Sequence, residues 1–69
     1  MSQLHIRFEG QSLDVALQDL DLGDLSPDND VRERAARHLE VPVAKFNNFI
    51  VDRNRETGDL TLRPQAVFG

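Results

Sequence analysis

The chain has 69 residues, 39% hydrophobic and 29% charged, with a formal net charge of −4 and no cysteine. That length admits a single domain, 1–69, because two separate cores would each be too small to fold unaided. The missing thiols exclude a disulfide framework, a thiolate metal site and a cysteine nucleophile. The acidic balance argues against nucleic acid as a partner, since phosphate neutralisation supplies most of that affinity.

The first predicted element is a hairpin. Leu4, Ile6 and Phe8 alternate with polar residues, as do Leu13, Val15 and Leu17, which is the period-two pattern of half-buried strands. Gly10-Gln11 lies between the two runs, and glycine at the first central position suits a type II′ turn. That turn sets Phe8 opposite Leu13, Ile6 opposite Val15, Leu4 opposite Leu17 and, on the other face, Arg7 opposite Asp14. An acidic connection follows over about 19–27, with Leu20, Leu22 and Leu25 expected to anchor it to the core.

A helix comes next. Ser26 is placed to cap it, Pro27 suits its first position, and Asp28 and Asp30 sit at its positive end. Val31, Ala35 and Leu39 form a buried stripe at i, i+4 and i+8. The outer surface predicts ion pairs Asp28–Arg32, Asp30–Arg34 and Glu33–Arg37, each worth about 0.2–0.5 kcal/mol. Val41-Pro42 ends the helix. Val43, Phe46 and Ile50 then fit a short second helical turn opened by Pro42, with Asn47-Asn48 as its exit. Phe49-Ile50-Val51 begins a strand and Leu60-Thr61-Leu62 another, joined through Glu56-Thr57-Gly58 as a second hairpin of open register. Pro64 ends the last strand or marks an edge. A tail at 65–69 follows.

The order hairpin, helix, short helical turn, hairpin is a ββαββ arrangement of class α+β. Together with Leu39-Glu40-Val41-Pro42, an apolar-proline step at the helix end, it resembles the ubiquitin-like, β-grasp fold, in which a mixed sheet wraps one helix. The resemblance implies a possible role as a modifier or sulfur carrier whose C-terminal glycine is activated. Gly69 leaves its carboxylate sterically open, but Val67-Phe68-Gly69 carries one glycine where that family has two, and Phe68 obstructs a tight activating channel.

Candidate sites are few. Asp19, Asp21 and Asp24 lack the spacing of a calcium loop. His5 and His38 are the only imidazoles, too few for zinc without cysteine, and both read as surface residues. Hydroxyls are scattered and no glycine-rich phosphate loop occurs. We therefore expect no enzyme, no cofactor and no metal. Arg53, Arg55 and Arg63 could converge on one hairpin and contact an acidic partner or phosphate, but the interleaved Asp52, Glu56 and Asp59 favour a solvated hairpin with local ion pairs. Val67 and Phe68 either complete the core or anchor another chain.

Residues 1–30 carry one base against seven acids, a net of −6, and residues 31–69 carry seven bases against five acids, a net of +2. Such asymmetry can guide a basic partner or a second copy, and self-association would stabilise so small a core. No basic stretch precedes an apolar run at the start, and no apolar run nears the roughly 20 residues of a membrane span. The expectation is a cytoplasmic, non-enzymatic adaptor that binds another protein through a sheet edge or the Val67, Phe68, Gly69 tail.

Overall fold

The computed structural model describes residues 2–65. The expected ββαββ order is present: β1 (Gln3–Phe8), β2 (Gln11–Ala16), α1 (Asp28–Leu39), β3 (Phe49–Arg53) and β4 (Leu60–Pro64), with 3-10 turns at Leu17–Leu20 and Val43–Phe46. The four strands form one mixed sheet in the order β2-β1-β4-β3, antiparallel except for the central pair β1 and β4, which run parallel.

The first hairpin folds as expected but in a register displaced by two residues. Phe8 pairs with Gln11, Ile6 with Leu13, His5 with Asp14 and Leu4 with Val15, while Arg7 faces Ser12. The turn residues are Glu9 and Gly10, with φ of 51° and 78°. Two positive φ values make a type I′ turn with glycine second, in place of the type II′ turn with glycine first. A shift of two leaves every side chain on its expected face, because strand periodicity is two. Leu17, expected to pair with Leu4, instead leaves the strand and enters the core from the 3-10 turn.

In the acidic connection Asp21 adopts a left-handed conformation that reverses the chain, and the amide of Leu22 donates to Leu17 O at 2.9 Å. The reversal turns both Leu20 and Leu22 inward. Leu25 does not anchor anything: it is 87% exposed. It sits inside a tight turn in which the Ser26 amide donates to Gly23 O and the Gly23 amide donates to the Ser26 hydroxyl at 2.9 Å. Ser26 therefore serves this turn and does not cap the helix. The residue preceding α1 is Pro27, extended and without a side-chain cap.

Helix α1 buries Val31 and Ala35 as the stripe requires, adds Ala36, and leaves Leu39 half-buried. None of the three expected i, i+4 ion pairs forms among the described residues. Asp28 instead pairs with Arg53, Arg34 with Asp21 at 3.8 Å, and Arg32 donates to Phe49 O and Asn29. Exposed helix pairs are weak, so charge-assisted bonds to acceptors elsewhere displace them. The helix ends in a Schellman arrangement: Glu40 is left-handed (φ 57°) and the Val41 amide donates to Ala36 O at 3.0 Å.

Pro42 opens the second 3-10 turn as expected, but of Val43, Phe46 and Ile50 only Phe46 is fully buried, and Val43 is 47% exposed. A 3-10 turn of four residues ends before the helical spacing can carry Ile50 inward. The Phe46 ring lies 5.2 Å from Phe8 and 4.8 Å, edge-on, from Phe49. These rings close one end of a core whose middle is Leu4, Ile6, Leu60, Leu62 and Val31. The second hairpin pairs Phe49 with Pro64 and Arg53 with Leu60. In its loop Gly58 has φ 78°, and a Cβ there would meet the Ser2 hydroxyl at 2.6 Å. Any side chain there would be strained by the backbone conformation and would displace the Ser2 hydroxyl, so glycine is the least costly residue.

Glu40 tests the helix end. An L-residue in the left-handed region costs about 1–2 kcal/mol relative to the right-handed one, a cost that glycine largely escapes. Glu40→Gly is expected to raise unfolding free energy by about 0.5–1 kcal/mol in urea titrations, and Glu40→Ala to give no such gain. Loss of stability in Glu40→Gly would show that the helix does not stop on a left-handed residue.

Candidate functional site

Across the sheet face away from α1, the strand registers align Asp14, His5, Thr61 and Asp52 in one row. His5 is held from both sides, with Nδ1 2.7 Å from Asp14 Oδ1 and Nε2 3.3 Å from Asp59 Oδ2. Asp59 also accepts the Gln3 amide at 2.9 Å on Oδ1. The Asp14 hydrogen bond pushes the His5 imidazole above its ordinary 6.5, partly offset by burial and reinforced by Asp59. The Gln3 amide, and next the His5 ring, hold the Asp59 carboxyl below its ordinary 3.8. Sequence periodicity places His5 on the polar face where a carboxylate could meet it; the fold supplies two.

This geometry favours an imidazolium with both N–H groups engaged. While the ring is protonated, both nitrogens act as donors to the flanking carboxylates. The two carboxylates lie at opposite edges of the ring and do not converge as cation ligands would; among the described residues no metal-binding group is gathered. The cluster is a clasp that ties β1, β2 and the loop before β4 together. His38 lies exposed in the last turn of α1.

The three arginines considered as a group are not brought together. Arg53 shares the helix-facing side of the sheet with its partner Leu60, whereas Arg63 lies on the opposite face and binds Asp52 at 2.6 Å. Arg55 stands exposed in the connecting loop and makes no ion pair among the described residues. The Arg53 guanidinium reaches the acidic connection, donating to Asp24 O at 2.8 Å, to Ser26 O, and to Asp28 Oδ1 at 2.6 Å. It thereby grips the backbone on both sides of Leu25. Sequence spacing grouped Leu25 with Leu20 and Leu22; the signal for its different fate is the Gly23-to-Pro27 punctuation, which makes residues 24 and 25 the centre of a turn. Val67, Phe68 and Gly69 lie outside the described residues.

The two sheet edges differ. Along β3, the Gln65 amide on Asn48 O continues the β3–β4 ladder, so Phe49, Val51 and Arg53 direct their backbone groups outward, and of these Phe49 O is occupied by Arg32 Nε at 3.3 Å and Nη2 at 3.0 Å. Along β2, the pairs flanking a two-residue turn alternate between bonded and non-bonded. Phe8–Gln11 starts the bonded series and the Leu17 amide on Ser2 O continues it. The amides and carbonyls of Ser12, Asp14 and Ala16 therefore point away from β1, where no strand of the described residues lies. A depression of about 250 Å³ lined by Arg7, Phe8, Gln11, Ser12 and Pro64 adjoins the hairpin end of this edge. No helix among the described residues is long and apolar enough to cross a membrane.

The clasp makes stability depend on pH with a defined sign. The elevated imidazole contributes fully below pH 6.5, and its contribution is lost as pH rises through the folded-state value. The depressed Asp59 contributes above pH 3.8, and its contribution is lost as pH falls through its own lowered value. Urea unfolding is expected to show greatest stability between pH 3.8 and 6.5 and a decline toward pH 8. In His5→Gln the alkaline decline should flatten; an unchanged decline would assign it to other groups.

No family model matches the chain, and no curated protein or solved structure matches it significantly.

Proposed function

We propose that the chain is a small, non-enzymatic interaction module that binds another protein by accepting an extended segment along β2. The observation that carries this reading is the outward row of backbone groups at Ser12, Asp14 and Ala16 on edge strand β2, beside a depression at its hairpin end, whereas on the β3 edge Arg32 already occupies the Phe49 carbonyl. An added strand gains main-chain hydrogen bonds along the edge and specificity from side-chain pockets. The depression beside Phe8 and Ser12 stands where one alternate side chain of such a segment would enter. The engagement of both His5 nitrogens supports a role without acid–base catalysis.

Ser12→Pro is the test, because proline deletes an outward-facing amide without touching the β1–β2 ladder. The variant should fold with little loss of stability. In affinity purification from native cells, the protein retained by the unaltered chain should be lost with Ser12→Pro, and its binding should protect β2 amides from exchange. Equal retention by both, or protection elsewhere, would refute strand addition at this edge.

A second reading is a ubiquitin-like carrier activated at Gly69. It is supported by the mixed sheet, in which parallel β1 and β4 lie side by side and a single helix covers one face. Intact-mass measurement of protein from native cells decides it: a terminal thiocarboxylate or a conjugate is expected for a carrier, and an unmodified mass counts against one.

A further inference from the structure

Leu25 offers a surface separate from the β2 edge. A single exposed leucine is ordinary on a protein surface, but this one is not simply left over. Leu20 and Leu22, a few residues earlier, are buried, while Leu25 is 87% exposed. Its backbone is fixed in that outward position from three directions. The Ser26 amide donates to Gly23 O at 3.1 Å, the Gly23 amide donates to the Ser26 hydroxyl, and Arg53 binds the carbonyls of both Asp24 and Ser26. Arg53 is also bound to Asp28 at the start of α1, so the turn is rigid with respect to both helix and sheet. A turn held in this way loses little conformational entropy on binding, which is the main way an exposed apolar side chain becomes an effective anchor.

Charge identifies the partner. Between residues 19 and 30 the chain bears Asp19, Asp21, Asp24, Asp28 and Asp30 and no base. Asp21 and Asp28 keep side chains 88% and 50% exposed, even though each has an arginine partner. An anionic lipid surface is disfavoured here by like charge. We infer that the Gly23–Ser26 turn is a preformed knob that inserts Leu25 into an apolar pocket on a partner protein whose rim carries lysine or arginine. The leucine supplies the buried anchor, and the aspartates steer the encounter and select a basic rim.

The test replaces Leu25 with a diazirine-bearing leucine analogue in the full chain, expressed in the native host and irradiated. The adduct is expected at one protein, on a peptide that combines apolar residues with lysine or arginine. That protein, purified, is then titrated with the unaltered chain, Leu25→Ser, Leu25→Met and Ser12→Pro. Leu25→Ser should weaken binding about 10- to 100-fold, the loss expected when a leucine no longer fills a pocket. Leu25→Met should stay within a few-fold, and added salt should weaken binding further. Ser12→Pro should bind normally, which separates this contact from strand addition at β2. Because Leu25 is exposed, Leu25→Ser should melt with the unaltered chain, so lost binding cannot be ascribed to unfolding. Absence of an adduct, an adduct with a second copy or with an acidic surface, or unchanged affinity in Leu25→Ser would overturn the inference.

Discussion

Leu4 lies beside Leu60 and Ile6 beside Leu62 in the parallel pair at the centre of the sheet, and all four are buried to within 1% of completely. Two parallel strands cannot be joined by a hairpin, so the chain between them must cross from one end of the sheet to the other. Helix α1 and the two 3-10 turns make that crossing, and their inward residues Leu17, Leu20, Val31 and Phe46 fill the space beneath the pair. The closure of so long a loop is entropically costly and is offset only when the apolar surfaces meet. The polar face depends on the same alignment. Because Leu60 pairs with Leu4, the residue before it, Asp59, arrives beside Gln3 and His5 and completes the clasp.

Much of this architecture was legible from periodicity. Alternation in residues 4–8 and 13–17 identifies two strands and their buried faces, and the Val31–Ala35–Leu39 spacing identifies the helix and its stripe. Register was not legible, for a definite reason: a period-two pattern is unchanged by a displacement of two residues. Gly10 alone does not distinguish a turn over residues 10–11 from one over 9–10, since glycine suits the first position of type II′ and the second of type I′. The His5–Asp59 contact joins residues 54 apart, beyond any local pattern. The expected helix ion pairs were displaced by distant acceptors: Arg32 turns to the Phe49 carbonyl, Arg34 to Asp21, and Asp28 to Arg53, choices that local spacing does not encode.

Three acidic residues, Glu9, Asp21 and Glu40, hold left-handed conformations, each where the chain reverses. Glycine would be less strained at all three. The reversals nevertheless form because of what lies on either side of them: Phe8 before Glu9, Leu20 and Leu22 around Asp21, and Leu39 and Val41 around Glu40 pack into or against the core. Local preference yields to burial at each of these sites, and this explains why glycine positions alone are a poor guide to the turns of this chain.

Arg32 and Arg53 show how long polar side chains set which main-chain groups remain exposed. Each directs a guanidinium at main-chain carbonyls from a neighbouring element, Arg32 at Phe49 O and Arg53 at Asp24 O and Ser26 O. A planar fork of fixed donors can bind several acceptors in one orientation, which a lysine ammonium on a flexible stem does less well. The first arginine takes the Phe49 carbonyl at the start of the β3 edge. The second fixes a turn that holds a leucine in solvent. The same side-chain chemistry thus satisfies main-chain acceptors at two places where the chain leaves regular structure, and in the second it keeps an apolar side chain turned outward.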